Sequence, residues 1–161
     1  MNNSNLSKSQ LNVLVFMRIL IGWHFLYEGV IKLYNPSWTA KAYLLSSEGI
    51  FKSLFVKLAG DGMVGFVDGI NIAILLVVGL FLVLGVMVKR ASLLGAVLLL
   101  LFYLSHPAFP GMNQGPSEGS YWIINKNLIE MAALLVLYYF PTEKYFGLAI
   151  FFGKKYKPQT V

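Results

Sequence analysis

The chain has 161 residues, of which 57% are hydrophobic and only 12% charged, with a formal net charge of +6. A soluble domain carries about 25% charged residues, so the composition points away from one, and the length suits one domain. The absence of cysteine excludes disulfide exchange, thiolate metal sites and cysteine-ligated iron–sulfur clusters within the chain. The basic balance does not mark a nucleic-acid partner, because the lysines and arginines fall between apolar runs and at the C-terminal end, where membrane topology requires them.

Residues 1–10 are polar and read as a short tail. The first apolar run, Leu11 to Tyr34, lacks a small-residue cleavage site and is expected to stay as a helix rather than leave as a signal peptide. Asn35-Pro36 ends it, since proline disfavours helix in the residue before it. Residues 36–62 place apolar side chains at partial helical spacing among Lys41, Lys52 and Lys57. This pattern predicts one or two amphipathic helices at the membrane surface, with a plain extramembrane loop as the alternative. A second span is expected over Met63 to Val88, a tight turn at Lys89-Arg90, and a third span over Ala91 to Ser105. Residues 106–121, HPAFPGMNQGPSEGSY, are too rich in proline and glycine to be anything but a loop. A fourth span runs from Trp122 to Phe140 before Pro141. In the tail 141–161, YFGLAIFFG reads as a possible interfacial segment ahead of KKYKPQTV. A bilayer core of about 30 Å needs roughly 20 apolar residues per helix. The reading is thus an all-α, integral membrane four-helix bundle with an amphipathic segment between helices one and two.

Four spans place the N-terminal tail, the turn between helices two and three and the C-terminal tail on one side. That side holds Lys8, Lys89, Arg90, Lys144, Lys154, Lys155 and Lys157, against Lys32, Lys41, Lys52, Lys57 and Lys126 on the other. The positive-inside rule then predicts both termini in the cytoplasm and the two long loops outside. For a bacterial chain this means the inner, cytoplasmic membrane. Tyr34, Trp38, Tyr121, Trp122, Tyr138 and Tyr139 lie at the expected span boundaries, as interfacial aromatic belts do.

Ionisable residues inside a span are candidates for function. Helix one carries Arg18, His24, Glu28 and Lys32; helix two carries Asp68 and Asn71; His106 follows helix three; helix four carries Lys126, Asn127 and Glu130. Given the alternating helix directions, all of these except Arg18 fall in the outer half of the bundle. His24, Glu28 and Lys32 share one helical stripe, and Arg18, Gly22, Phe25, Gly29 and Lys32 form a second, whose glycines allow close helix approach. Structural roles compete at each position. Arg18 has Glu28 or Glu130 as possible partners, or snorkels; Lys32 and Lys126 suit interfacial anchoring; Asp68 suits helix-dipole compensation. For chemistry, Glu28, His24 and Glu130 are the expected proton carriers, and Arg18, His24, Lys32, Asp68, His106 and Asn127 the expected cofactor-binding residues. A quinone headgroup needs donors and acceptors at its carbonyls and an apolar groove for its tail. Haem b between His24 and His106 is a second option; no other metal site is expected.

The string RILIGWHFLYEGVIKL resembles the opening helix of DoxX/DoxD-like membrane proteins, with an arginine, spaced glycines, an aromatic and a lysine. GLFLVLGVMVKRASLLGAVLLL is similar to that family's glycine-rich pair with a basic turn, and NKNLIEMAALLVLYY to its final span. The family-like positions are Arg18, Gly22, Phe25, Gly29, Lys32, Gly85, Arg90 and Asn127. His24, Glu28 and His106 lie outside the shared pattern. The resemblance implies a four-helix membrane subunit of a redox complex, some members belonging to a thiosulfate:quinone oxidoreductase. The longer loop after helix one and the different tail set this chain apart and argue against thiosulfate. Three functions follow as expectations. The first is a membrane subunit that takes electrons from an extracytoplasmic dehydrogenase and passes them to quinone. The second is a non-catalytic anchor or assembly subunit of such a complex. The third is a small-solute or proton transporter acting as a homo-oligomer.

Overall fold

The computed structural model of the protein describes residues 6–112, 119 and 121–152. Most of the 106–121 loop's centre and the tail lysines Lys154, Lys155 and Lys157 lie outside these residues. In chain order the helices are α1 (Lys8–Tyr34), α2 (Lys41–Leu45), α3 (Lys52–Leu58), α4 (Val64–Leu84), α5 (Val88–Ser105), α6 (Lys126–Tyr139) and α7 (Ala149–Phe152). Among the described residues the regular structure is helical, apart from one bridge between Tyr121 and Ile124. Three helices, α1, α4 and α5, are long and apolar enough to cross a membrane.

Helix α1 starts three residues before the expected Leu11. A capping box explains this: Ser7 Oγ accepts from the Gln10 N–H at 3.3 Å, and Gln10 Oε1 accepts from the Ser7 N–H at 2.8 Å, which satisfies otherwise orphaned helix-end groups. The turn between α4 and α5 sits at Gly85–Met87 rather than at Lys89-Arg90, which belong to the first turn of α5. Gly85 adopts φ +66° and the Val86 N–H reaches back to the Phe81 carbonyl at 2.9 Å, a closure that left-handed glycine permits without a Cβ penalty. The earlier turn gives α5 18 residues instead of the expected 15, or about 27 Å of length. Helix α6 is shorter than the span expected over 122–140. Tyr121–Ile124 forms a tight turn, and Asn125 caps the helix with its Oδ1 accepting from the Leu128 N–H at 3.1 Å. Its 14 residues measure about 21 Å, less than the ~30 Å hydrocarbon core.

α1 packs closely along α4, α4 along α5, and α5 along α6, while α6 touches α1 only lightly. Glycines set the α1–α4 approach. A Cβ at Gly79 would stand 2.4 Å from the backbone nitrogen of Leu26, and one at Gly22 would stand 2.9 Å from Val83 N. The shared core holds Phe25, Leu75, Val78, Leu82, Leu99, Leu134 and Leu137. The expected segment 36–62 forms two short helices whose apolar faces (Ala40, Leu44, Phe55 and Ala59) pack with Val67 and Leu104 at one end of the bundle. On the opposite face of α1, Val13, Phe16, Leu20, Trp23, Tyr27 and Ile31 are exposed, an apolar stripe suited to lipid.

Candidate functional site

A cavity of about 260 Å³ lies beneath α2, between α1, α4, α5 and α6. Its polar lining comprises His24, Glu28, Lys32, Asn71, Lys126 and Asn127, and Phe25, Trp38, Tyr43 and Phe102 supply aromatic walls. The volume is just below the range of drug-sized ligand pockets, which suits a small molecule or the headgroup of a larger one.

Helical periodicity delivers these side chains. His24, Glu28 and Lys32 are one turn apart on α1. Lys32 forms an ion pair with Glu28 and lies 5.6 Å from the Trp38 ring centre. His24 Nδ1 is 2.8 Å from Glu130 Oε1, which joins α1 to α6 at the cavity wall. Lys126 and Asn127 begin α6 and enter the lining from the other side of that contact. Two amides of the lining have unmet hydrogen bonds: Asn127 Nδ2, in a residue only 3% exposed, and Asn71 Oδ1. Buried donors and acceptors are nearly always paired, so one unpaired donor and one unpaired acceptor around a cavity mark places for a ligand or water to bind.

Of the expected site residues, the structure gathers His24, Glu28, Lys32 and Asn127 in this lining and hangs Glu130 on His24. Three others lie elsewhere. Asp68 Oδ1 accepts from the Ala40 N–H at 2.8 Å and so holds the start of α2. His106 is buried with its ring 4.2 Å from that of Tyr43, and its Nε2 is 3.1 Å from Ser46 Oγ; it does not enter the cavity lining. Arg18 is fully buried at the opposite end of the bundle. Its Nη1 donates to Thr142 Oγ1 at 2.8 Å and to the Phe146 carbonyl at 2.7 Å. Its partners are thus in the tail, not the carboxylates Glu28 or Glu130. The same tail segment docks on the α4–α5 turn, with the Leu148 N–H donating to the Leu84 carbonyl at 2.8 Å. Among the described residues no three His, Cys, Asp or Glu side chains converge to hold a metal ion.

No family model, curated protein or solved structure matches this chain. The DoxX/DoxD resemblance therefore rests on the sequence strings alone. Sequence reasoning did not place Trp38, Tyr43 and Phe102 at the site. Trp38 and Tyr43 arrive only because α2 folds over the bundle end, a tertiary contact without a local signal. Asn71 was visible as a polar residue in an apolar helix, and that was the signal available for it.

Proposed function

We propose that the chain is the membrane subunit of a quinone-linked oxidoreductase, with four bundle helices in the cytoplasmic membrane, both termini in the cytoplasm and the cavity in the outer half. The observation that carries this reading is the unpaired Asn127 donor facing a cavity that Lys126 and Lys32 also line. These three supply hydrogen bonds of the kind quinone carbonyls accept, and Phe25, Trp38 and Phe102 supply flat apolar contact. A bound quinone would supply two-electron redox chemistry with uptake of two protons. Glu28 and the His24–Glu130 pair are placed to hold and deliver those protons. Electrons would come from a dehydrogenase docked on α2, α3 and the 106–121 loop. Haem between His24 and His106 has less support, because the two rings do not line one cavity.

The test uses a protein in which Trp23 and Trp122 are replaced by Phe, leaving Trp38 as the sole indole. A decyl-tailed benzoquinone should quench Trp38 fluorescence saturably, and Asn127→Leu should weaken that binding about tenfold, equivalent to one charge-assisted or neutral hydrogen bond. Non-saturating quenching that is equal in both proteins overturns the reading. In the complex, electron transfer unchanged by Glu28→Gln removes that residue from proton delivery. A second reading, the non-catalytic anchor, draws on the pairing of the cavity carboxylate Glu28 with Lys32 and of its neighbour Glu130 with His24. It expects charge-removing variants to reduce complex assembly and leave turnover per assembled complex intact.

A further inference from the structure

The contact between His24 and Glu130 is in an unusual place. Helix α1 has 27 residues and is about 40 Å long, roughly 10 Å more than a hydrocarbon core. Wherever that excess overhangs, His24 stays at hydrocarbon depth, since it is well inside both helix ends. Yet its side chain is 44% exposed, and that of Glu130 is 15% exposed. Their outward-facing neighbours Leu20, Trp23, Tyr27 and Ile129 are all more than half exposed and apolar. A polar pair opening onto an apolar surface at this depth is costly, and a purely structural pair would be better shielded.

The same pair sits at a thin joint of the bundle. α1 and α6 pack more lightly than α1 with α4, α4 with α5 or α5 with α6, and the His24–Glu130 hydrogen bond spans them. Behind it lies the cavity, whose lining includes His24 from α1 and Lys126 and Asn127 from α6. The rest of the lining comes from α1, α4 and α5 and from Trp38, Thr39, Ala40 and Tyr43.

We infer that the α1–α6 seam is a lateral opening to the bilayer, bridged by His24 and Glu130, through which an amphiphile seats its headgroup in the cavity and leaves its hydrocarbon tail in the membrane. The inference rests on the proposed function for the quinone headgroup but not for the route. It names the ligand class more narrowly: a polar ring on an alkyl or isoprenoid tail, rather than a water-soluble solute entering from above. A cavity of about 260 Å³ holds a headgroup and not a long tail, so the tail needs an exit, and this seam offers an apolar one.

Carbodiimides separate the two routes. They add to a protonated carboxyl group and leave a stable acylurea, so peptide mass mapping locates the modified residue. Dicyclohexylcarbodiimide reaches carboxyls from the lipid phase, and a charged, water-soluble carbodiimide reaches them from water. With the full chain in lipid vesicles, the lipid-phase reagent should modify Glu130 at least about tenfold faster than the soluble one, as expected for a group screened from water by hydrocarbon. A saturating decyl-tailed benzoquinone or decyl-tailed phenol should slow that modification, and the tail-less ring should not. Equal rates with both reagents, no modification of Glu130, or no protection by either tailed compound overturns the lateral opening. The two proposals fail separately. Saturable quinone quenching of Trp38 with Glu130 modified from water leaves the function and removes the route. Protection by the tailed phenol but not by the quinone leaves the route and removes the quinone.

Discussion

The two ends of the bundle bury polar groups in different ways. At the tail end, Arg18 is covered by the chain's own tail, which supplies the Thr142 hydroxyl and the Phe146 carbonyl to Nη1, while Nε and Nη2 are buried with no partner among the described residues. Gly85 and Gly147 bring the tail so close to the α4–α5 turn that a Cβ on Gly147 would stand 2.5 Å from the Gly85 carbonyl oxygen. At the cavity end, Asn127 is buried and Asn71 half-buried, the Nδ2 donor of the first and the Oδ1 acceptor of the second are unmet, and both residues line a cavity. A charge at hydrocarbon depth is therefore not by itself a sign of activity. The difference between a brace and a site is whether a segment of the chain or a cavity faces the polar group.

Arg18 tests the tail end of that comparison most severely. Arg18→Leu leaves the Thr142 hydroxyl and the Phe146 carbonyl without that donor, and should destabilise the protein by about 2–4 kcal/mol, measured by thermal unfolding in detergent. Gly85→Val adds a side chain at φ +66° against the Gly147 Cα and Arg18 Nη2. It should lose about 2–3 kcal/mol and expose the tail to protease. Asn127→Leu should do the reverse at the other end. Removing an unmet buried donor should leave stability unchanged or raise it by roughly 1 kcal/mol, while quinone binding falls. A large loss of stability in Asn127→Leu would make the cavity end a brace like the tail end. The smallest effect belongs to Lys41 and Asp61, an ion pair beside α2 on the exposed surface. Its hydrogen bond and the Lys41 charge hold the Asp61 carboxyl below its usual range. A lowered carboxylate contributes stability above its unfolded titration point and loses it as the pH falls through the folded one. For a fully exposed pair, Asp61→Asn should shift the melting temperature within measurement scatter at neutral pH.

Much of the architecture was legible because its causes are local. Apolar runs gave α1, α4 and α5, and spacing in the 36–62 segment gave the two short helices. The i, i+4 spacing on α1 put His24, Glu28 and Lys32 on one face, and the alternation of helix directions put Lys126 and Asn127 at the same depth. The Ser7–Gln10 capping box and the glycine of the left-handed turn at Gly85 are also local signals, weaker ones than the first apolar residue and the basic pair Lys89-Arg90. What was not legible is nonlocal. Nothing near Arg18 indicates that its partners are 124 and 128 residues away. Nor does anything near Asp68 indicate that it is committed to the Ala40 N–H. His106 has the right depth and lies behind Tyr43, a matter of rotation that sequence spacing after a proline-rich stop does not fix.

The distance between Arg18 and its partners also has a timetable. A ribosome adds about 5–20 residues per second. Thr142, 124 residues downstream, is therefore made roughly 6–25 s after Arg18. Through that interval the first helix must enter the membrane with a guanidinium that has neither of its later acceptors. The newborn helix has to be tolerated by lipid headgroups, water or a helper protein until the last part of the chain arrives. Biogenesis should thus be more fragile than the finished fold, and lesions at the tail should show first as failed insertion of the opening helix.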